Sequence, residues 1–172
     1  LRLKRNLAVF ANALANEVGV NWSVKPNNQA GGGRVILLVG GYSQRNDLHD
    51  ELLQSARASG NEEIDFLFCV PAQDVEAIGQ QRQSKLGQNL VQQGHAVWDG
   101  TDPGLRKDFP RLPSQYRIVQ YASCRGLEGW TVVLEGLDVQ WESLKSTTPP
   151  ELLVTPELEV PSFIDPSAQA WQ

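Results

Sequence analysis

Short runs of consecutive apolar residues constrain the fold of this chain more than any other feature of its sequence. Residues 35–39 form one run that is rich in β-branched side chains, and residues 64–70, which are apolar apart from Asp65, form a second. An unbroken apolar run of this length predicts a strand that is buried on both faces of a sheet. Residues 96–98, 117–121 and 131–134 are shorter strand candidates. The sequence therefore predicts a sheet that is covered on both sides.

Three other segments have the 3.6-residue period of amphipathic helices, and each is followed by a glycine that can end the helix. Their apolar positions are Leu3, Leu7, Phe10, Leu14 and Val18, then Leu48, Leu52 and Ala56, then Leu86, Leu90 and Val91. The glycines are Gly19, Gly60 and Gly94. Ser43 or Asn46 is a candidate cap for the second helix. Strands that alternate with helices predict right-handed βαβ crossovers, so the expected fold class is α/β, with a central, mainly parallel sheet.

The composition indicates one soluble domain. Apolar residues make up 41% and charged residues 20% of 172 residues, and no apolar run approaches the length of a membrane span. Cys69 and Cys124 are far apart, and each lies in or beside a predicted strand. Reduced, buried thiols are the expected state, which favours the cytoplasm. Because no apolar run is long enough to span a membrane, no membrane partner is expected.

The net charge of −5 is concentrated towards the carboxyl terminus. From Glu135 onwards there are seven acids and one base, while the preceding residues hold thirteen acids and fourteen bases. A nearly neutral body argues against a domain whose isolated function is to grip nucleic acid. Residues 139–166 are acidic and rich in proline, and we expect them to form an extended surface excursion. The chain has no methionine, so we expect it to be a segment of a longer protein.

Residues 121–130 combine several polar side chains between two predicted strands. Ser123, Arg125, Gly126 and Glu128 supply a hydroxyl, a cation, a tight backbone and a carboxylate within six residues. Loops at the carboxyl ends of parallel strands are where open α/β sheets bind ligands. The residues alone support a ligand-binding loop and a structural turn with a solvated Arg–Glu pair about equally.

The run Ser-Cys-Arg-Gly-Leu-Glu at residues 123–128 resembles the fifth helicase motif of the UvrD/Rep family of superfamily 1. That motif is usually H-S-A-K-G-L-E, followed by an aromatic residue and a valine-rich strand. Ala122 takes the place of the usual histidine, and Gly129 adds one residue before the aromatic Trp130. The resemblance implies a RecA-like, three-layer domain of the P-loop NTPase type. It also implies nucleotide contacts from Arg125, Gly126 and Glu128, with Glu128 at the ribose, and contacts with single-stranded DNA from Gln120, Tyr121 and Ser123.

The amino terminus resembles a second segment of the same family. Arg2, with Ala-Asn-Ala-Leu at residues 11–14, is similar to the family's N-Y-R…A-N-A-L segment, in which the arginine reaches the γ-phosphate. The resemblance implies that Arg2 contacts the nucleotide, as a planar guanidinium pairs well with phosphate oxygens. An exposed basic turn with Lys4 and Arg5 is the alternative interpretation. The resembling segments follow the family's order from Leu1 to about Asp138. The sequence between them is too short for the large subdomain that some members of the family contain.

Two parts of a complete ATP site are missing from the sequence. There is no G-x-x-x-x-G-K-S/T loop, and both glycine runs, at residues 31–33 and 40–41, are expected to be turns. The sixth motif of the family should follow a helix that begins at Ser167, beyond Gln172. His49 and His95 have no third ligand at a suitable spacing, so no metal site is expected in this chain.

The resemblance therefore implies that residues 1–172 are the second RecA-like domain of an ATP-dependent DNA helicase, an ATP hydrolase of DNA repair. ATP and Mg²⁺ would be shared with an N-terminal RecA-like domain of the same protein, which would also supply the Mg²⁺ ligands. The fragment alone is expected to be inactive. Two alternatives remain, a stand-alone nucleotide-binding module of Rossmann or flavodoxin type, and a protein-interaction module without helicase activity.

Overall fold

The computed structural model of the protein describes residues 3–147. They divide into two compact units, the first containing residues 3–37 and the second containing Leu38–Ser146. Arg2, the predicted helix at Ser167 and most of the acidic excursion lie outside the described residues. A single domain over residues 1–172 therefore stays a prediction.

The first unit is built on one helix, α1, which spans Arg5–Glu17 and confirms the first predicted helix. A loop over residues 21–34 follows it, and the side chain of Asn12 holds this loop. Asn12 Nδ2 donates to the Val24 carbonyl at 2.9 Å, and Asn12 Oδ1 accepts the Val24 N–H at 2.8 Å. These two bonds satisfy a donor and the acceptor of the Asn12 amide, just as pairing between strands satisfies a backbone N–H and carbonyl.

The predicted strand at residues 35–39 is wrong. This segment has no regular secondary structure. Leu37 is 79% exposed and Val39 is fully exposed. A run of β-branched residues forms a strand only where a neighbouring strand supplies hydrogen-bond partners, and the local pattern carries no information about that neighbour.

The second unit contains six strands, namely β1 (Phe66–Val70), β2 (Val75–Ile78), β3 (Gln81–Ser84), β4 (Ala96–Asp99), β5 (Gln115–Gln120) and β6 (Thr131–Leu134). Four of them form an all-parallel sheet in the order β4-β5-β1-β6. The strands β2 and β3 form a separate antiparallel hairpin. The fold class is therefore α/β, and the strand predictions at residues 64–70, 96–98, 117–121 and 131–134 are confirmed with small shifts of their ends.

Three helices belong to this unit, namely α2 (Asn46–Ala58), α3 (Lys85–Gln92) and α4 (Leu137–Thr147). The first two confirm the predicted helices. The predicted cap of α2 is wrong, because Arg45 occupies the capping position and no side chain caps the helix there. The amide oxygen of Asn46 instead accepts a hydrogen bond from Gln93 at 3.0 Å. Residues 139–147 lie in α4, so this part of the predicted excursion is helical and not extended.

The two faces of the sheet are covered in different ways. On the helical face, Phe66, Phe68 and Val70 of β1 and Tyr116 and Ile118 of β5 are almost completely buried. Residues of α2 and α3 pack against them, namely Leu48, Leu53, Ala56, Leu86 and Leu90. On the opposite face there is a smaller cluster, and no described α-helix contributes to it. Burial of one such aromatic side chain contributes about 2–3 kcal/mol, so the helical face carries most of the hydrophobic stabilisation.

Among the described residues, no helix combines the length and the apolar character that crossing a membrane requires.

Candidate functional site

Residues 121–130 cross the sheet from one side of β1 to the other, and we call them the crossing segment. Strand β5 lies on one side of β1 and β6 on the other, and all three strands are parallel. The chain must therefore pass from the carboxyl end of β5 to the amino end of β6. It does so without an α-helix, after a single 3-10 turn at Tyr121–Ser123. The sequence placed this run between two strands but did not reveal the crossing.

The crossing segment covers the hydrophobic cluster on the opposite face of the sheet. This cluster consists of Leu67, Cys69 and Val119, and the crossing segment contributes Tyr121, Cys124 and Leu127 to it. Cys69 is buried and Cys124 is half-buried, and both thiols are free. Burial raises the pKa of the Cys69 thiol to about 12, so this cysteine behaves as a core residue.

The carboxyl ends of β1 and β5 form a topological switch point. The chain that leaves β1 leads to α3 on the helical face, whereas the chain that leaves β5 enters the opposite face. Such a divergence opens a crevice between two neighbouring strands, and open α/β sheets bind ligands in crevices of this kind. The predicted DNA contacts Gln120, Tyr121 and Ser123 lie at and just after the carboxyl end of β5 and are all half-buried.

The hydroxyl of Tyr121 is used to hold the fold together. It donates to the Glu135 carbonyl, just after β6, at 3.0 Å. Burial raises the pKa of the phenol, so Tyr121 is neutral at physiological pH. The carboxylate of Glu135 accepts the Tyr42 N–H at 2.9 Å, and burial raises its pKa also. Tyr121 therefore ties the ends of β5 and β6 together across β1.

A tight turn at residues 124–127 presents Arg125 and Gly126. The Leu127 N–H donates to the Cys124 carbonyl at 3.0 Å. Gly126 has a φ of +79° at the third position of the turn, which is the type II geometry that favours glycine. Both residues are exposed, and a methyl group added at Gly126 would meet no heavy atom within 4 Å. The turn thus offers a cation and an open backbone to solvent.

Glu128 lies nearer to the amino-terminal edge of the sheet. Its carbonyl accepts a hydrogen bond from Arg117 Nη2 at 2.7 Å. Two residues later, the Trp130 N–H donates to the carbonyl of Asp65, just before β1, at 2.8 Å. The crossing segment therefore separates the two predicted sets of contacts: Gln120, Tyr121 and Ser123 lie at the carboxyl edge, while Glu128 lies towards the amino edge. Arg2 is outside the described residues.

Arg117 is a feature that the sequence did not reveal. Its register partners are Leu67 on β1 and Trp98 on β4, so it lies on the opposite face beneath the crossing segment. Burial lowers the pKa of the guanidinium, and its Nε atom is buried without a hydrogen-bond partner. An arginine in a strand gives no sign of its partner in the sequence, because the partner is supplied by a loop that folds over the strand.

A second missed feature is a buried carboxylate at the end of β4. Asp99 Oδ2 accepts the N–H and the hydroxyl of Ser84 at 2.8 Å each, and Asp99 Oδ1 accepts the N–H and the hydroxyl of Thr101 at 3.1 and 2.6 Å. The hydroxyl oxygen of Ser84 also caps α3 by accepting the Gly87 N–H at 2.9 Å. A side chain at Gly87 would collide with Asp99 Oδ2 at 2.6 Å. The lack of a side chain at Gly87 therefore permits the close approach of α3 to Asp99.

His49 is part of the core of the helical face. Its two ring nitrogens each lie 2.9 Å from a tyrosine hydroxyl, Nδ1 from Tyr42 and Nε2 from Tyr116. Within residues 3–147, no three His, Cys, Asp or Glu side chains lie close enough to hold a metal ion. An open groove of about 480 Å³ lies beside α4 and contains none of the predicted site residues.

Comparisons with known proteins do not place the chain in a family. No protein-family model, no curated protein and no solved structure matches it.

Proposed function

We propose that the chain is the second RecA-like motor domain of a superfamily 1 ATP-dependent DNA helicase. The observation that carries the proposal is the crossing segment, because its Ser-Cys-Arg-Gly-Leu-Glu run starts beside a switch point at the carboxyl end of β5 and leads to the parallel strand β6. A ligand loop of this kind needs a fixed base and an exposed tip. Tyr121, Cys124 and Leu127 pack the base against the sheet, while Arg125 and Gly126 are exposed.

The exposed groups of the segment suit part of an ATP site. The Arg125 guanidinium is a planar cation that suits phosphate oxygens, and the open backbone at Gly126 permits close approach of a ligand. The Glu128 carboxylate is an acceptor for ribose hydroxyls. Arg2 is the proposed γ-phosphate contact. An N-terminal RecA-like domain of the same protein would bind ATP first and supply the Mg²⁺ ligands, and closure of the two domains would complete the site.

Single-stranded DNA is the proposed second ligand. Gln120 and Ser123 lie at and just after the carboxyl end of β5, where an amide and a hydroxyl are suitable partners for backbone phosphates. The Tyr121 hydroxyl is already bonded within the fold, so we propose that Tyr121 holds Gln120 and Ser123 in position and does not bind a phosphate itself. The proposal includes a role in DNA repair in the cytoplasm.

The alternative, a stand-alone Rossmann-type or flavodoxin-type nucleotide binder, is favoured by the same open sheet and switch point. Such a domain holds phosphate in a glycine-rich loop between the first strand and the following helix. Here β1 is followed by Pro71 and a hairpin, and the helix after the hairpin is capped by Ser84. The helicase domain is therefore the proposal that the residues support better.

The test uses the longer protein that contains both motor domains. We expect Glu128→Ala to raise the KM for ATP in a DNA-stimulated ATPase assay by about tenfold or more, since a hydrogen bond to a charged group is lost. Glu142→Ala, on an exposed part of α4, is the matched control and should leave KM unchanged. ATP turnover by residues 1–172 alone, or an unchanged KM for Glu128→Ala, would contradict the proposal.

A further inference from the structure

Residues 105–128 carry an excess of positive charge within this acidic chain. Residues 105–128 contain five bases and two acids, whereas the rest of the chain contains ten bases and eighteen acids. The five bases are Arg106, Lys107, Arg111, Arg117 and Arg125. An uneven distribution of this kind creates a local positive field even when the net charge is negative. The partner of this region is therefore expected to be an anion.

The first half of this region, residues 105–113, forms a loop that we call the strap. Two hydrogen bonds fasten it to β4 and the turn that follows. Trp98 Nε1 donates to the Asp108 carbonyl at 2.6 Å, and Arg106 Nε donates to the Gly100 carbonyl at 2.9 Å. Trp98 packs against the cluster on the opposite face, which the crossing segment also covers. The strap and the crossing segment therefore belong to the same face of the sheet.

The strap exposes an aromatic ring between two cations. Phe109 is 75% exposed, and Lys107 and Arg111 are each two residues away and also exposed. Arg111 forms an exposed ion pair with Asp108 at 3.5 Å, an arrangement that contributes little to stability. Leu112 is 55% exposed beside them. Packing within the described unit does not account for a phenylalanine in this position.

We propose that the strap binds single-stranded nucleic acid, with a base stacked on Phe109 and with phosphates at Lys107 and Arg111. An exposed aromatic ring between cations suits a ligand that has flat rings and one negative charge per unit. Duplex bases are already stacked on one another and do not offer a free face to the ring. Arg125, at the turn of the crossing segment, extends the positive charge on the same face. This inference deepens the proposed function, on which it rests for the identity of the ligand, but its test needs neither ATP nor a second domain.

The test measures binding of a fluorescent oligo(dT) of about 12 nucleotides to the full chain by anisotropy at several salt concentrations. Phe109→Ala should weaken binding about tenfold, because one stacking contact is lost, whereas Phe109→Tyr should bind as the unchanged chain does. The double variant Lys107→Ala/Arg111→Ala should reduce the slope of log K against log salt by about 1.4, which corresponds to two phosphates. Thermal unfolding of each variant establishes that it is folded.

Arg45→Ala/Arg57→Ala is the matched control, because it removes two exposed bases that belong to α2 and its cap on the helical face. Binding by this variant should be unchanged apart from a small, uniform effect of net charge. Absence of binding at low salt, equal binding by Phe109→Ala, or tighter binding of duplex DNA or of an acidic peptide would overturn the inference. If the strap variants lose binding while Glu128→Ala has a normal KM for ATP, nucleic-acid binding by the strap is supported and the proposed helicase function is contradicted.

Discussion

The His49 side chain is placed between two tyrosine hydroxyls in the core of the helical face. A neutral imidazole has one N–H donor and one acceptor, so one tyrosine donates to the ring while the other accepts from it. Burial lowers the pKa of His49, and the nearby His95 lowers it further. Protonation would remove the acceptor and leave a charge in the core. The arrangement therefore stabilises the fold only while His49 is neutral.

This arrangement predicts a loss of stability in mild acid. The folded state binds fewer protons than the unfolded state at pH values just below the ordinary His pKa of 6.5, so the free energy of unfolding falls as the pH decreases through this range. Urea unfolding between pH 7.5 and pH 5.5 measures the effect. His49→Phe should be less stable by about 2 kcal/mol at pH 7.5, because two hydroxyls lose a partner, and should lack the loss below pH 6.5. His95→Gln, which leaves the burial of His49 in place, should retain it.

Asp99 is the other residue on which the second unit depends. It is 5% exposed and accepts hydrogen bonds from both Ser84 and Thr101. Asp99→Ala should lower the free energy of unfolding by about 3 kcal/mol, because buried donors lose their acceptor. Asp108→Ala, at an exposed position of the strap, should change it by about 0.5 kcal/mol or less. Urea unfolding measures both variants. A loss for Asp99→Ala as small as that expected for Asp108→Ala would show that the Asp99 hydrogen bonds do not stabilise the fold.

At the scale of secondary structure, the elements that the sequence predicted correctly are those in which the local pattern and the tertiary environment agree. The apolar run in β1 is buried on both faces, and Ser84 and Gly94 flank α3 at its two ends. The hairpin of β2 and β3 was not predicted, because its exposed residues show no alternation of polar and apolar side chains. The failure at residues 35–39 has the opposite cause, since a strong local pattern there has no partner strand in the described residues.

The two apolar runs give a matched comparison. Val39 is fully exposed and Val70 is fully buried. Val70→Ala should reduce the free energy of unfolding by about 2 kcal/mol, whereas Val39→Ala should change it by about 0.5 kcal/mol or less. The two substitutions remove the same atoms, so denaturant unfolding compares the environments directly. A loss at Val39 as large as that at Val70 would mean that residues 35–39 are packed as a strand.

The candidate site was predictable only where its residues are contiguous. The sequence alone indicated a polar run between two strands, because both the run and the strands are local features. It did not indicate that this run crosses over β1 on the opposite face of the sheet, since strand order is determined by contacts between distant residues. Arg117 was not predicted as a partner of Glu128 for the same reason. The exposed bases of the strap were visible in the sequence, but their place on the same face as the crossing segment was not.

At the scale of the whole molecule, the proposed function and the strap inference divide the second unit into one face for stability and one for ligands. The helical face contains the large aromatic core, while the opposite face carries the crossing segment and the strap, and residues 105–128 include five bases. Substitutions on the helical face are therefore expected to act through folding. Exposed positions of the opposite face, such as Arg125 and Phe109, are expected to act through binding.

The order of the strands also determines when the sheet can form. Leu67 of β1 pairs with Arg117, which is 50 positions later in the chain, and Cys69 pairs with Leu134, which is 65 positions later. At a synthesis rate of about 5–20 residues per second, both edges of β1 lack their partners for roughly 3–10 s after it is made. During this interval five apolar residues are available for incorrect pairing. The parallel sheet thus makes the nascent protein depend on rapid packing of α2 against β1, or on a chaperone, until β5 has been synthesised.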